Sequence, residues 1–185
     1  MEKKVLMFVA DGSESTELIA TYDILNRAAI NVTLMGKDSS ILHREDKLKV
    51  ESLKNYKFSE YDAIIFPGGR LGVDNVTFLL ENNPDKLLEL VKFFESGKLV
   101  AAICAAPSIL GKFGLLQGKN FTCYPGFEGE NHYLGNYTKD KITVDGNLIT
   151  GRSMYYSTDF GLAIVEYLKG KKERIRVEKQ VKGQK

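Results

Sequence analysis

Cysteine and histidine each occur only twice in these 185 residues, as Cys104 and Cys123 and as His43 and His132. Two cysteines make no disulfide framework, and there is no CxxC pair or Cys/His cluster to hold zinc. Two histidines leave few ways to build a histidine-based catalytic site. Long apolar runs are missing too: none approaches the roughly 18–20 residues that cross a bilayer. The start, Met1-Glu2-Lys3-Lys4-Val5, leads into only about six apolar residues, too few for a secretory leader. These absences predict a cytoplasmic protein without membrane contact. The chain also lacks a P-loop and a GxGxxG order, which Gly68-Gly69-Arg70-Leu71-Gly72 does not supply, so nucleotide cofactors have no recognisable cradle. No internal repeat, linker or low-complexity stretch interrupts it.

What is present is ordinary for a globular chain: 43% apolar and 27% charged residues, with a net charge of +2. The length fits one domain with a substantial core, placed at residues 1–170. The charge is uneven. Residues 169–185 carry eight basic and two acidic side chains, and 171–185 read as a basic tail. Such a tail suits an anionic surface, but it has no aromatic residue for base stacking, so a solvated terminal helix is expected and nucleic acid is not. Ile175, Val177 and Val181 would let part of it dock.

Short apolar runs bounded by turn residues predict buried strands at 5–10, 31–36, 61–66, 98–103 and 121–124. Residues 41–53 suit one or two edge strands or a hairpin, and 142–150 two strands around Asp145-Gly146. Helical spacing of apolar residues predicts helices over 14–29, with Ser13 or Ser15 as cap, and over 72–80, 84–95, 106–113 and 157–168. This alternation argues an α/β fold with a doubly wound, mostly parallel sheet sandwiched by helices, with its site at the carboxyl ends of the strands.

Three of those ends carry unusual residues: Asp11-Gly12-Ser13-Glu14, Pro67-Gly68-Gly69, and Cys104. Cys104 lies between an apolar strand and a helix start marked by small residues and Pro107. A sharp turn there lifts the side chain off the sheet, and the helix N-terminus favours the thiolate. Cys104 is accordingly expected to have a lowered pKa and Cys123 is not; a buried structural cysteine is the alternative reading. Glycines at 68 and 69 permit a turn whose Gly69 N–H, with that of Ala105, suits an oxyanion hole. Glu17 follows the first strand end and is a third candidate, although spacing alone does not separate it from Glu14 or from a solvated helix carboxylate.

Together, Asp11-Gly12-Ser13-Glu14-Ser15-Thr16-Glu17, Phe66-Pro67-Gly68-Gly69, Ala101-Ala102-Ile103-Cys104-Ala105-Ala106-Pro107 and Asp159-Phe160-Gly161-Leu162-Ala163-Ile164-Val165 resemble the DJ-1/PfpI superfamily, over about residues 3–170. The branch is that of the Parkinsonism-associated deglycases, in its bacterial ThiJ-like type. The resemblance implies a flavodoxin-like sandwich and a homodimer. It also implies Cys104 as nucleophile, Glu17 as a protonated carboxyl donating to the sulfur, and Gly69 and Ala105 as N–H donors. Arg152 matches an arginine near the site and the dimer contact. Two departures stand out. Tyr124 occupies the position of a histidine found in other members, and Ala105 stands where protease-like relatives have a histidine, so peptidase activity is not expected. Ser153-Met154-Tyr155-Tyr156 replaces a segment rich in glycine and proline and is expected to put bulk near the pocket.

The function this implies is cofactor-independent, cysteine-dependent detoxification of small aldehydes, of glyoxalase or deglycase type, acting on methylglyoxal or its early adducts. The alternative is a redox-sensing stress protein or chaperone in which Cys104 is oxidised to sulfinic acid and Glu17 stabilises the product. A third reading is a dimeric binding module. Whether Tyr124 or His132 takes part in the site is left open by the sequence.

Overall fold

The computed structural model describes residues 2–36, 39–41, 47–49, 51–52, 57–129 and 134–184, so His43 and His132 lie outside the described residues. Eleven strands and six α-helices are described, beginning with β1 (Lys4–Phe8), α1 (Ser15–Arg27) and β2 (Asn31–Gly36). β3 (Ser39–Ile41) pairs antiparallel with β4 (Lys47–Lys49), and β5 (Glu51–Ser52) joins the main sheet as an edge strand. Then come β6 (Ala63–Phe66), α2 (Arg70–Glu81), α3 (Pro84–Glu95), β7 (Leu99–Ile103) and α4 (Pro107–Lys112). β8 (Asn120–Phe121), β9 (Asn136–Tyr137), β10 (Ile142–Asp145), β11 (Leu148–Gly151), α5 (Ser157–Lys169) and α6 (Lys171–Val181) complete the order.

Seven strands form the main sheet in the order β10-β11-β7-β6-β1-β2-β5. Every neighbouring pair is parallel except β10 with β11, which makes the sheet the doubly wound type the alternation predicts. Its central strands are apolar on both sides because both sides are covered. Along β1, Leu6 and Phe8 enter one core with Val73 and Val76 of α2, Leu90 of α3 and Ile109 of α4. Val5 and Met7 enter the other with Leu18 and Leu25 of α1, Phe160 and Ile164 of α5, and Val177 of α6. Each fully buried side chain of this size contributes about 1.5–3 kcal/mol, and the period of two keeps the register from slipping. Among the described residues, no helix is long and apolar enough to cross a membrane.

Some local expectations shift. The predicted strand at 121–124 is only two residues long as β8. Thr122 leaves the ladder: its N–H donates to Thr150 Oγ1 and its hydroxyl to the Asp140 carbonyl. The hairpin of β10 and β11 turns at Gly146-Asn147, with Asp145 opposite Leu148. The cap of α1 is neither serine expected for it. Glu14 accepts from Glu17 N through its side chain, while Ser13 Oγ accepts from Ala10 N within the preceding loop. The basic segment after Gly170 is helical and docks. Val177 is fully buried, and Arg176 donates to the Arg27 carbonyl.

Candidate active site

The carboxyl ends of β1, β6 and β7, adjacent in the sheet, converge on Cys104. This residue has φ +63°, a left-handed conformation that non-glycine residues seldom adopt. Backbone bonds to β11 and to the loop after β8 pin it there. Its N–H donates to the Gly151 carbonyl at 2.9 Å, and its own carbonyl accepts from Tyr124 N at 2.8 Å. The side chain is partly exposed, whereas Cys123 is completely buried.

Glu17, in the first turn of α1, is also completely buried. Its Oε2 accepts from Gly68 N at 2.7 Å; its buried Oε1 has no partner among the described residues. The carboxyl lies beside the Cys104 thiol, near enough for each to shift the other's ionisation. Burial pushes Glu17 up to about 7 from the 4.5 of an ordinary glutamate; the hydrogen bonds to Cys104 and Gly68 oppose this and the charge of Glu14 adds to it. The two carboxylates the sequence could not distinguish are thus separated: Glu14 caps the helix, and Glu17 points into the protein.

The Pro67-Gly68-Gly69 turn closes the third side. Glu14 N donates to the Gly68 carbonyl at 3.0 Å, which ties the turn to the loop after β1. At Gly69 φ is +87°, and a Cβ there would collide with the Gly12 carbonyl oxygen and come within 2.7 Å of Glu14 N. This close approach sets the Gly69 N–H toward the Cys104 sulfur, and the Ala105 N–H faces it as well.

One electrostatic expectation is overturned. Burial pushes the Cys104 thiol up, negative charge on Glu17 pushes it further, and the Ala105 and Gly69 N–H groups only partly oppose them. The helix meant to lower it, α4, starts at Pro107 and has six residues, too little dipole to offset burial beside a carboxylate. Two acids this close hold one negative charge well before they hold two. A thiolate therefore forms here when the remaining proton of the pair sits on Glu17.

Other expected residues fall around this centre. Arg152 donates to the Lys139 carbonyl at 3.1 Å, beside the segment leading into β10. Met154 and Tyr155 are 47% and 84% exposed, so that segment directs its bulk largely outward. Tyr124 touches the site through its backbone, and its ring packs edge-on to Phe127 at 6.3 Å. The Gly68 bond to Glu17 and this aromatic pair were not foreseeable from the sequence, where no spacing signal marks them.

The family model described as "DJ-1/PfpI family" matches residues 3–167. The Drosophila melanogaster protein dj-1beta is 36% identical over 94% of this chain and 93% of its own length. The Danio rerio Parkinson disease protein 7 homolog is 35% identical over 91% of this chain and 90% of its own. Among solved structures, Drosophila melanogaster DJ-1beta superposes with a TM-score of 0.87 at 34% identity, covering 98% of both chains. An oxidized Toxoplasma gondii DJ-1 gives 0.85 at 27% identity over 97% of both chains.

Proposed function

Because the chain belongs to the DJ-1/PfpI family, we propose that its Cys104 site detoxifies small α-oxoaldehydes such as methylglyoxal, or reverses their early adducts. Family membership supports a stress-response or deglycase-like role of the DJ-1 type; the aldehyde chemistry is the finer reading. The observation that carries it is the partly exposed thiol at φ +63° facing a buried carboxyl whose pKa lies near 7. A general acid–base at that value can both give and take a proton at neutral pH.

The steps close without a cofactor. The Cys104 thiolate attacks the aldehyde carbon, an S–C bond forms, and the carbonyl electron pair moves onto oxygen. The Gly69 and Ala105 N–H groups hold that oxygen while Glu17 supplies its proton. The Glu17 carboxylate then takes the proton from the former aldehyde carbon, giving an enediol as the ketone oxygen is protonated; the neighbouring ketone carbon receives the proton back from Glu17, and the hydroxyl on the sulfur-bearing carbon loses its proton to become the thioester carbonyl. The result is a thioester of a 2-hydroxy acid, which water cleaves to free the thiol. The net change is addition of one water to methylglyoxal to give lactate, with no external oxidant. On an early adduct, whose carbinolamine carbon is tetrahedral, the S–C bond forms as the C–N bond breaks, and Glu17 gives its proton to the departing amine.

An anaerobic assay with methylglyoxal tests this. The wild-type protein is expected to form lactate, and Cys104→Ser only the rate of buffer. Equal rates for the two proteins would sink the reading. A second reading follows from the same carboxyl, which in its protonated form can donate to a sulfinate oxygen at Cys104. It predicts peroxide-dependent sulfinate at Cys104 and no anaerobic turnover.

We also propose a homodimer. α1 buries Leu18, Ile24 and Leu25 but leaves Ile19 55% and Tyr22 38% exposed on its outer face. A twofold contact through that face would cover both. Sedimentation at micromolar concentration is expected to show a dimer, and Ile19→Lys a shift toward monomer; a monomeric wild type would refute the assignment.

A further inference from the structure

Three hydrogen bonds beside the thiol close into a ring. Glu14 N donates to the Gly68 carbonyl at 3.0 Å, Gly68 N donates to Glu17 Oε2 at 2.7 Å, and Glu17 N donates to Glu14 Oε2 at 3.1 Å. Each of the three residues gives one bond and receives one, and the circuit joins α1 to the turn after β6. The pattern departs from an ordinary helix start. In a capping box, a glutamate at the third helical position reaches back to the N-cap N–H, while the N-cap side chain accepts from the glutamate's own N–H. The second of these bonds is kept here, between Glu17 N and Glu14. In place of the first, Gly68 is interposed: its carbonyl accepts from the N-cap N–H, and its own N–H donates to the Glu17 carboxyl. The N-cap residue is itself uncommon, since serine, threonine, aspartate and asparagine lead at that position.

We propose that Glu14 is a positioning residue for the Cys104 site: its side chain closes this ring and so holds the Glu17 carboxyl and the Gly69 N–H in register with the sulfur. The inference rests on the acid–base and oxyanion roles proposed above for Glu17 and Gly69. Gly68 transmits the constraint because it is packed between acid and nucleophile. A Cβ added to it would come within 2.7 Å of Glu17 Oε2 and 2.8 Å of Cys104 Cβ. Gly69 follows directly, and its backbone lies so near α1 that a Cβ there would come within 2.7 Å of Glu14 N. A shift of the first turn of α1 is therefore felt at all three groups. Gly68 and Glu17 are buried, whereas Glu14 is only half-buried. Its carboxylate is the one link of the ring that a side-chain substitution cuts without removing a reacting group. Once it is cut, Glu17 N loses its partner, and the turn that carries the acid is held by the other two bonds alone.

Amide exchange and turnover test the ring together. Glu14→Ala removes the acceptor. The Gly68 amide, followed by hydrogen exchange in NMR spectra, is expected to exchange about five- to tenfold faster than in the wild type, the size of one lost hydrogen bond passed round the circuit. The kcat for methylglyoxal is expected to fall about ten- to a hundredfold with KM held, as for reacting groups displaced by up to about 1 Å. Glu14→Gln keeps an acceptor at the same reach and should bring both values back toward wild type. Gly97→Ala, at the other end of β7 from Cys104, lowers stability without touching the ring and should change neither. A Gly68 amide that exchanges at the wild-type rate in Glu14→Ala overturns the proposal, because a cap confined to α1 would loosen Glu17 N alone. So does a Glu14→Gln protein as impaired as Glu14→Ala, which would assign the effect to charge, or an equal loss in Gly97→Ala, which would assign it to stability. The exchange measurement needs no substrate: if the wild type turns over no methylglyoxal, the aldehyde reading fails and the Gly68 amide still decides the ring.

Discussion

Replacing Glu17 by glutamine is expected to remove most of the pH dependence of stability between about pH 4.5 and 7. In the folded protein burial holds the Glu17 carboxyl near 7, whereas the unfolded chain ionises it near 4.5. Below the unfolded value both states are protonated and the folded state keeps its full advantage. Between the two values the unfolded chain releases its proton while the folded one retains it, so stability falls as pH rises. Above about 7 the advantage is gone. At about 1.4 kcal/mol per unit, the wild type should lose about 3 kcal/mol across the window relative to Glu17→Gln. Urea unfolding of both proteins from pH 4.5 to 8.5 measures the difference directly. A difference independent of pH would mean that Glu17 ionises as an ordinary surface carboxylate.

The same position separates hydrogen-bond donor from proton carrier. Glu17→Gln keeps a donor beside the sulfur and removes the charge that pushes the thiol up. Glu17→Leu removes both charge and donor and leaves only burial. The Cys104 thiolate, followed by its ultraviolet absorbance, should therefore appear at lower pH in Glu17→Gln than in Glu17→Leu. One charge-assisted hydrogen bond is worth about 1.5–3 kcal/mol, or one to two pKa units. Neither variant can return a proton to carbon, so both should lose about 10²–10⁴ in turnover. Coincident thiol titrations in the two variants would show that Glu17 donates no hydrogen bond.

The fold was legible because its determinants are local. Apolar runs such as Val5 to Phe8 and Ile64 to Phe66 feed both cores, and a strand covered on both sides has no polar face to obscure it. The short strand β8 was overestimated because Thr122 satisfies its backbone through the Thr150 hydroxyl, a partner 28 residues away. The same limit applied at the site. Sequence located Cys104, Gly69 and Ala105 at turn positions, but Glu17 and Glu14 differ by one turn of helix, and only tertiary packing buries one of them. The sign of the shift at Cys104 was missed for the same reason. The helix start was visible, whereas the burial and the facing carboxylate come from α1, remote in the chain. Arg70 over Phe127 joins positions 57 residues apart and left no trace in spacing.

Gly69→Ala should be the most damaging single-atom addition at the site, and its cost has two separable parts. The first is conformational. At φ +87° and ψ 119° an alanine lies outside even the left-handed helical well, so it costs at least the about 1–2 kcal/mol of that well. The second is steric, since the new Cβ would meet the Gly12 carbonyl and come within 2.7 Å of Glu14 N. Both are backbone atoms, so the loop after β1 must move and no flexible side chain can yield. Gly97→Ala is a positive-φ control without a clash, because Gly97 has φ +82° with nothing within 4 Å of the added Cβ. Gly97→Ala should cost about 1–2 kcal/mol and leave the site intact. Gly69→Ala should cost about 3 kcal/mol or more, or roughly 6–12 °C in Tm for a chain of this size. It should also lower turnover by about 10²–10³, since displacing the turn moves the Gly69 N–H from the oxygen it is proposed to hold and moves Gly68 N from Glu17. Thermal unfolding and the anaerobic methylglyoxal assay on the same two variants give both numbers. If Gly69→Ala is no worse than Gly97→Ala in Tm and keeps full turnover, the turn does not set the geometry at Cys104, and the proposed oxyanion role of Gly69 fails with it.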